Sequence, residues 1–392
     1  FPQVNHDLRF LLANYPGAYQ VDRTAGTNAI RQPLANLDDA GQLYGAVIYQ
    51  KAPIVMRQLE TILGETAFRD GLREYLETYS FGNATWLDLV RILDARTTDD
   101  LAAWSRAWVE ERGRPEVTTV LRVENGRISS LTLNAADPFE RGLIWPQRLR
   151  VVLGYTDGVR EVGVSVNGAT TAVRDAEGMP SPLFVLPNGA GLGYGLFLLD
   201  AGSRDYLLAN LPTLVNPLTR GSAWVTLWDN LLESRVDAGA FIDLAARALP
   251  VEADEQNVQR VLGYMARAFW RHLSAEERVR RAPVLERMLR AGIARAATSS
   301  AKSAWFSAFR DVALSPDGLA WLEAVWRRNE KIEGLTFAET DEMALALELA
   351  VREVPAWPEI LQTQLDRTQN PDRKARFAFV MPALSADPSV RE

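Results

Sequence analysis

Cysteine is absent from the 392 residues. That gap excludes disulfide frameworks, thiolate metal sites and cysteine nucleophiles together. It sets no compartment, since cysteine-free chains occur on both sides of a membrane. Histidine occurs only as His6 and His272. A metal site built on two histidines at helical spacing is therefore excluded within this chain, and a histidine-based triad has only two candidates. No run of about 18 uncharged apolar residues is found, so no membrane span is expected. Lysine is scarce too: among 43 basic residues only Lys51, Lys302, Lys331 and Lys374 are lysine, which reads as genome bias rather than function. The net charge of −7 argues against nucleic acid as a partner. The chain opens on Phe1 without a charged-then-apolar leader, and a fragment or processed product is expected.

What is present is ordinary globular composition, 47% apolar and 24% charged, in a length that suits two or three domains. Three regions separate by pattern. Residues 1–39 read mostly as loop with a short helix near Phe10. From about 40 to 114 apolar residues recur at three and four. Leu43, Val47, Val55, Leu59 and Ile62 make one face, and Phe68, Leu72, Tyr75 and Leu76 another. Leu87, Val90 and Leu93, then Leu101, Trp104 and Trp108, make two more. Gly64 and Gly82 stand at helix ends, Thr85 with Asp88 forms a capping box, and Pro53 kinks or restarts the first helix.

From about 115 to 201 the period becomes two. Asn125-Gly126, Asp157-Gly158 and Asn167-Gly168 are each read as hairpin turns between β-branched runs. Five to seven strands in this span predict a small β-sandwich. From 202 to 392 helices return, eight or nine of them, as solenoid-like antiparallel pairs. Ser274 with Glu277 forms a capping box there, and Ser315-Pro316 a helix start.

Several constellations invite function and read better as structure. The glycine-rich stretch 188–195 precedes a strand, whereas a phosphate cradle needs a following helix N-terminus, so it reads as a flexible turn into an edge strand. Trp224, Trp228, Trp270, Trp305, Trp321 and Trp326 read as core. His6 and His272 have no partners at recognisable spacing. Asp99-Asp100 reads as a cap and helix-start charge before Leu101. On spacing alone, Leu43 to Met56 is an amphipathic helix carrying two ordinary aromatics, Tyr44 and Tyr49.

That last segment resembles the aminopeptidase N family of zinc peptidases (gluzincins), which also contains leukotriene hydrolase. Tyr49-Gln50-Lys51-Ala52-Pro53 aligns with the family's Tyr-Glu-Lys-Gly-Ala-like element. The similarity continues through Met56 to Glu60, Leu63 to Glu65, Phe68 to Leu72, Tyr75-Leu76 and Phe81 to Thr85 with Asp88-Leu89. It runs on to Trp104, Trp108, Gly113 and Pro115. Beyond these, Trp145-Pro146, Pro187-Asn188-Gly189, Gly193-Tyr194, Arg376-Phe377 and Pro382 to Ser385 are weaker echoes of the family. Gln50 and Ala52-Pro53 depart from its Glu and Gly-Ala.

The resemblance implies an α+β multidomain protein. Residues 1–114 would be the helical C-terminal portion of a thermolysin-like catalytic domain, 115–201 a β-sandwich domain, and 202–392 an α-helical C-terminal domain. It implies that Tyr49 donates its phenol O–H to the oxyanion formed during peptide hydrolysis, and it makes Tyr44 a candidate pocket-lining residue. The family's His-Glu-x-x-His zinc motif, its further Glu ligand and its Gly-Ala-Met-Glu-Asn-like loop are absent from this sequence. The expectation is therefore a C-terminal part of a zinc aminopeptidase that removes N-terminal residues from peptides. Zinc belongs to the parent, and this chain alone has no catalytic metal and no activity. Its partners are peptide substrates and the missing N-terminal part of the same protein. The rival is a non-catalytic relative serving as a protein-binding scaffold, and nothing in the sequence supports an epoxide-hydrolysing activity.

Overall fold

The computed structural model describes residues 4–391 apart from 35, 37, 39, 40, 42, 43 and 386. Leu43, expected on the first helix face, lies outside the described residues. The chain forms two compact units, Phe1–Phe241 and Ile242–Glu392.

The first unit opens on α1 (His6–Asp22), capped by the Asn5 side chain, which accepts from the Leu8 N–H. This helix is much longer than the short one expected near Phe10. Its buried residues Leu8, Leu11, Leu12, Tyr15, Ala18, Tyr19 and Asp22 do follow the helical period, but Asn14, Pro16 and Gly17 lower its local propensity. Packing of one face decides here, as it does for most protein helices. After a π-helical turn, Val47–Lys51, come α2 (Ala52–Leu63) and α3 (Glu65–Thr78), with α4 (Trp86–Asp94) and α5 (Leu101–Ser105) following. Gly64 closes α2 at φ +80°, and Thr85 and Asp88 make the reciprocal capping box of α4. Val55, Leu59, Val90, Leu93, Leu101, Trp104 and Trp108 fill one core with α1, whereas Leu76 and Leu87 face solvent.

Seven strands follow: β1 (Glu116–Glu124), β2 (Arg127–Ala136), β3 (Gln147–Tyr155), β4 (Gly158–Val166), β5 (Thr170–Ala172), β6 (Phe184–Leu186) and β7 (Leu196–Leu198). They form two sheets, β5-β2-β1-β7 and β4-β3-β6, whose inner faces share Val117, Leu131, Leu133, Val151, Leu153 and Val185. Asn125 and Gly126 both have positive φ, 52° and 74°, the conformation a two-residue hairpin between β1 and β2 requires. β3 and β4 also form a hairpin, but its two-residue loop is Thr156-Asp157, and Gly158, at φ 134°, is the first residue of β4. Asn167-Gly168 does not make a hairpin. It carries the chain from β4 in one sheet to β5, which pairs with β2 in the other. The correction reflects a property of sandwiches, in which a short connection can cross between layers as readily as it reverses within one.

The 188–195 stretch leads into β7 at a sheet edge. It is buried rather than flexible: Asn188 bonds the Gly193 backbone in both directions (2.8 and 2.7 Å), and a Cβ at Gly193 would fall 2.0 Å from Leu149 Cδ2. The unit continues with α6 (Ala201–Asn210) and α7 (Pro217–Leu232), and the division from the second unit falls inside α8 (Ala238–Ala248).

The second unit holds α9 (Glu255–His272), α10 (Ala275–Arg295), α11 (Ser299–Val312), α12 (Pro316–Trp326), α13 (Glu339–Val351), α14 (Trp357–Arg367), α15 (Pro371–Val380) and α16 (Pro388–Arg391). Among the described residues no strand follows β7, and the helices after it outnumber the eight or nine expected, the shortest α-helix being Pro388–Arg391. Ser274 caps α10, but Glu277 pairs with Arg280 and Arg281 instead of closing a box. Ser315 caps α12 with Pro316 in its first turn. Trp305 and Trp326 are core, as expected, while Trp270 is exposed.

Candidate functional site

The tyrosine segment is shaped by Pro53. Proline has no N–H to give the carbonyl four residues back, here Tyr49, and its ring crowds that carbonyl. The chain answers by widening: the Ala52 N–H reaches the Val47 carbonyl in a π-type bond, and the α-helix proper begins only at Ala52. Such single wide turns recur at functional positions because they re-aim side chains. Of the two expected effects of Pro53, a kink or a restart, the restart is seen: the α-helix begins at Ala52, behind a π-helical turn.

Three consecutive residues on this turn point three ways. Tyr49 is 61% exposed. Its ring lies 5.8 Å from that of Tyr44, tilted by 55°, and Tyr44 is exposed as well. The two tyrosines singled out in the sequence are therefore brought together on one surface. Gln50 lies against α1. Its amide donates to the Ala13 carbonyl at 3.4 Å, and its Oε1 stands 1.8 Å from where a Cβ on Gly17 would be, so only glycine at 17 leaves it room.

Lys51 turns inward and is completely buried. Its ammonium is 2.8 Å from Asp22 Oδ2 on α1 and donates to the Gly113 carbonyl at 2.6 Å. It also faces the rings of Trp145 and Tyr194 at 5.7 and 5.5 Å, a cation–π arrangement worth more in a dry site than at a surface. The Asp22 carboxylate is equally buried and accepts from Tyr194 Oη (2.8 Å) and from the Thr27 hydroxyl. Burial pulls the lysine below its ordinary range against the opposing influence of Asp22.

Further polar contacts around this pair tie α1 and the residues before β1 to the sandwich and to α7. Arg114 makes a buried bidentate pair with Asp229 (2.7 and 2.9 Å) and lies 4.3 Å over the Tyr19 ring. Tyr15 Oη donates to the Gly191 carbonyl (2.8 Å), and Trp108 Nε1 to that of Pro146 (2.7 Å). Desolvation raises the phenols of Tyr15, Tyr19 and Tyr194. It raises Asp229 too, against the pull of Arg114.

The other candidates fall where plain structural roles place them. Asp100 caps α5, and Asp99 pairs with Arg148 at 3.1 Å. His6 is exposed on α1, as is His272 at the end of α9. Among the described residues no group of three His, Asp or Glu is placed to hold a metal ion. Zinc's ordinary set of three or four ligands is thus not met by these residues.

Sequence reasoning noticed Lys51 as part of a motif but missed its burial, and it missed Asp22 entirely. The one available signal was a lysine retained in a chain that otherwise uses arginine.

Residues 1–108 match the family described as the peptidase family M1 domain. The chain is 28% identical over 338 residues to aminopeptidase N of Streptomyces lividans, covering 81% of this chain and 39% of that protein. Its first 108 residues are thus similar to the M1 peptidase domain, and most of its length is similar to aminopeptidase N. It is also 26% identical over 245 residues to the mitochondrial aminopeptidase 2 of Saccharomyces cerevisiae, covering 55% of this chain and 25% of that protein. A third relative, aminopeptidase M1-A of Oryza sativa, is 27% identical over 122 residues, 31% of this chain and 14% of that protein. The chain thus spans well under half the length of each. Its helical first region, small two-sheet sandwich and all-helical C-terminal region agree with that kinship.

Proposed function

We propose that this chain supplies the tyrosine-bearing wall of a zinc aminopeptidase that removes N-terminal residues from peptides. In this reading residues 1–114 are the helical end of the catalytic domain, 115–201 the sandwich and 202–392 the helical C-terminal domain. The single observation that carries it is Tyr49: a neutral phenol, exposed on a π-helical turn whose opposite side is anchored in the core.

A fixed neutral donor suits a reaction in which a carbonyl oxygen gains negative charge. The hydroxyl costs no charge burial in the ground state, and its hydrogen bond strengthens only as the oxyanion forms. Tyr44, 5.8 Å away ring to ring, gives the donor an aromatic neighbour that can shield it from water and line a side-chain pocket. The described residues make no zinc site, so the metal ligands and the general base would come from sequence other than these 392 residues. By themselves these residues would hydrolyse no peptide.

The test is Tyr49→Phe in the zinc-loaded full-length protein. Removing one oxyanion donor should lower kcat on aminoacyl substrates by about 10²–10³-fold. Near-wild-type turnover would remove Tyr49 from the mechanism. A zinc-loaded wild-type protein with no aminopeptidase activity would instead favour a protein-binding scaffold.

A further inference from the structure

We propose that Lys51 is a positioning residue for Tyr49, locking the π-helical turn so that the phenol is held at one orientation. The inference rests on the function proposed for Tyr49 and deepens it.

The Tyr49 backbone is held by the bond from its N–H to the Gly45 carbonyl (3.0 Å) and by the covalent turn. Among the described residues its exposed side chain makes no hydrogen bond, and its ring pairs with that of Tyr44. An exposed tyrosine on a single wide turn would swing with any rotation of that turn about the helix axis. Two residues further on, on the opposite side, the turn carries a side chain with no freedom. The Lys51 ammonium meets Asp22 Oδ2 at 2.8 Å and the Gly113 carbonyl at 2.6 Å, beneath the rings of Trp145 and Tyr194. These partners come from α1, from the loop before β1, from the loop before β3 and from the turn before β7. Four segments distant in sequence converge on one nitrogen, so the turn cannot rotate without breaking charge-assisted bonds in a dry site.

Gln50, wedged over Gly17, supports the same orientation from the side. A buried ion pair is weak evidence for stability by itself, and conformational specificity is the better-attested reason to keep one. Here the specificity has an identifiable beneficiary two residues away. Misplacing a catalytic donor by about 1 Å can lower turnover on the order of a hundredfold.

The experiment uses the zinc-loaded full-length protein with Lys51→Met and, separately, Asp22→Asn. The second variant keeps the shape of the side chain and one acceptor, for either Thr27 or Tyr194, and carries the same readouts should the first fail to fold. Each, assayed where circular dichroism shows full folding, should lower kcat by about tenfold or more while KM stays within about twofold. Adding Tyr49→Phe to either should cost far less than it does in the wild type, because the donor is already misaimed. A fluorine label on Tyr49, read by NMR without any substrate, should move toward the averaged position of a freely rotating tyrosine. A folded variant with wild-type kcat, an unmoved fluorine line, or a full additional loss from Tyr49→Phe overturns the proposal. If the wild-type protein hydrolyses no aminoacyl substrate, the proposed function falls while the fluorine line still decides whether Lys51 holds Tyr49.

Discussion

Alkaline pH should unfold the first unit by a route that its buried tyrosines dictate. Tyr15, Tyr19 and Tyr194 are buried, and desolvation holds their hydroxyls protonated far above the ordinary phenol range. In the unfolded chain the same three ionise near pH 10, so above about that pH the fold binds three more protons than the unfolded chain. Stability therefore falls as pH rises. Each phenol contributes about 1.4 kcal/mol per pH unit, so the three together remove about 4 kcal/mol per unit. Against a total of about 5–15 kcal/mol, the fold should be lost within roughly one to four units of that threshold. Lys51 acts in the opposite sense. Its depressed pKa means that the unfolded chain holds the extra proton until about pH 10.4, and stability rises with pH below that point. Where the two overlap, one lysine proton opposes three tyrosine protons, and above about pH 10.4 the lysine adds nothing further, so the net trend is loss. The assay follows phenolate absorbance together with far-ultraviolet circular dichroism. The phenolate absorbance of Tyr15, Tyr19 and Tyr194 should appear only with the loss of helical signal. Full phenolate absorbance in a chain that keeps its helical spectrum would refute the reasoning.

Two further substitutions test the frame around the site. Arg114→Met leaves the buried Asp229 carboxylate without its bidentate partner. It should lower unfolding free energy by about 3–5 kcal/mol in a urea titration, and a loss under about 1 kcal/mol would refute the account. Pro53→Ala restores an N–H that can reach the Tyr49 carbonyl, so the wide turn should relax toward α and rotate Tyr49. The melting temperature should stay equal or rise, while kcat in the zinc-loaded full-length protein falls by about tenfold or more. Unchanged turnover in that variant would mean that Pro53 does not set the donor's aim.

The parts of the fold that could be read in the sequence are those whose cause is local. Thr85 and Asp88 cap each other across three residues, and Asn125-Gly126 supplies two positive φ angles in place. Both were legible because no distant partner is needed. Asn167-Gly168 has the same local chemistry yet crosses between sheets, since pairing of β5 with β2 is a long-range choice. The helix at His6–Asp22 shows the reverse: its apolar spacing is present, but Pro16 and Gly17 disguise it until packing against the rest of the core is known. Gly17 looks like a helix weakness and proves to be the space that Gln50 occupies.

The site divides along the same line. Tyr49 was legible through a resemblance, whereas the lysine two residues on was set aside as a by-product of composition. Its partners lie 29 residues before it and 62 after it, at Asp22 and Gly113, distances at which spacing carries no signal. Yet the scarcity of lysine did carry information. A guanidinium is a broad planar fork, while an ammonium is a compact point charge with three donors. Lys51 occupies a closed site with a carboxylate on one side, a carbonyl on another and two ring faces around it. Lys302, another of the four, likewise sends its ammonium to a single backbone carbonyl, that of Glu333, at 2.7 Å. In a chain where arginine is the default cation, the closed site around Lys51 is one that the broad fork would not fit. At position 51 that place is directly behind the tyrosine on which the proposed chemistry depends.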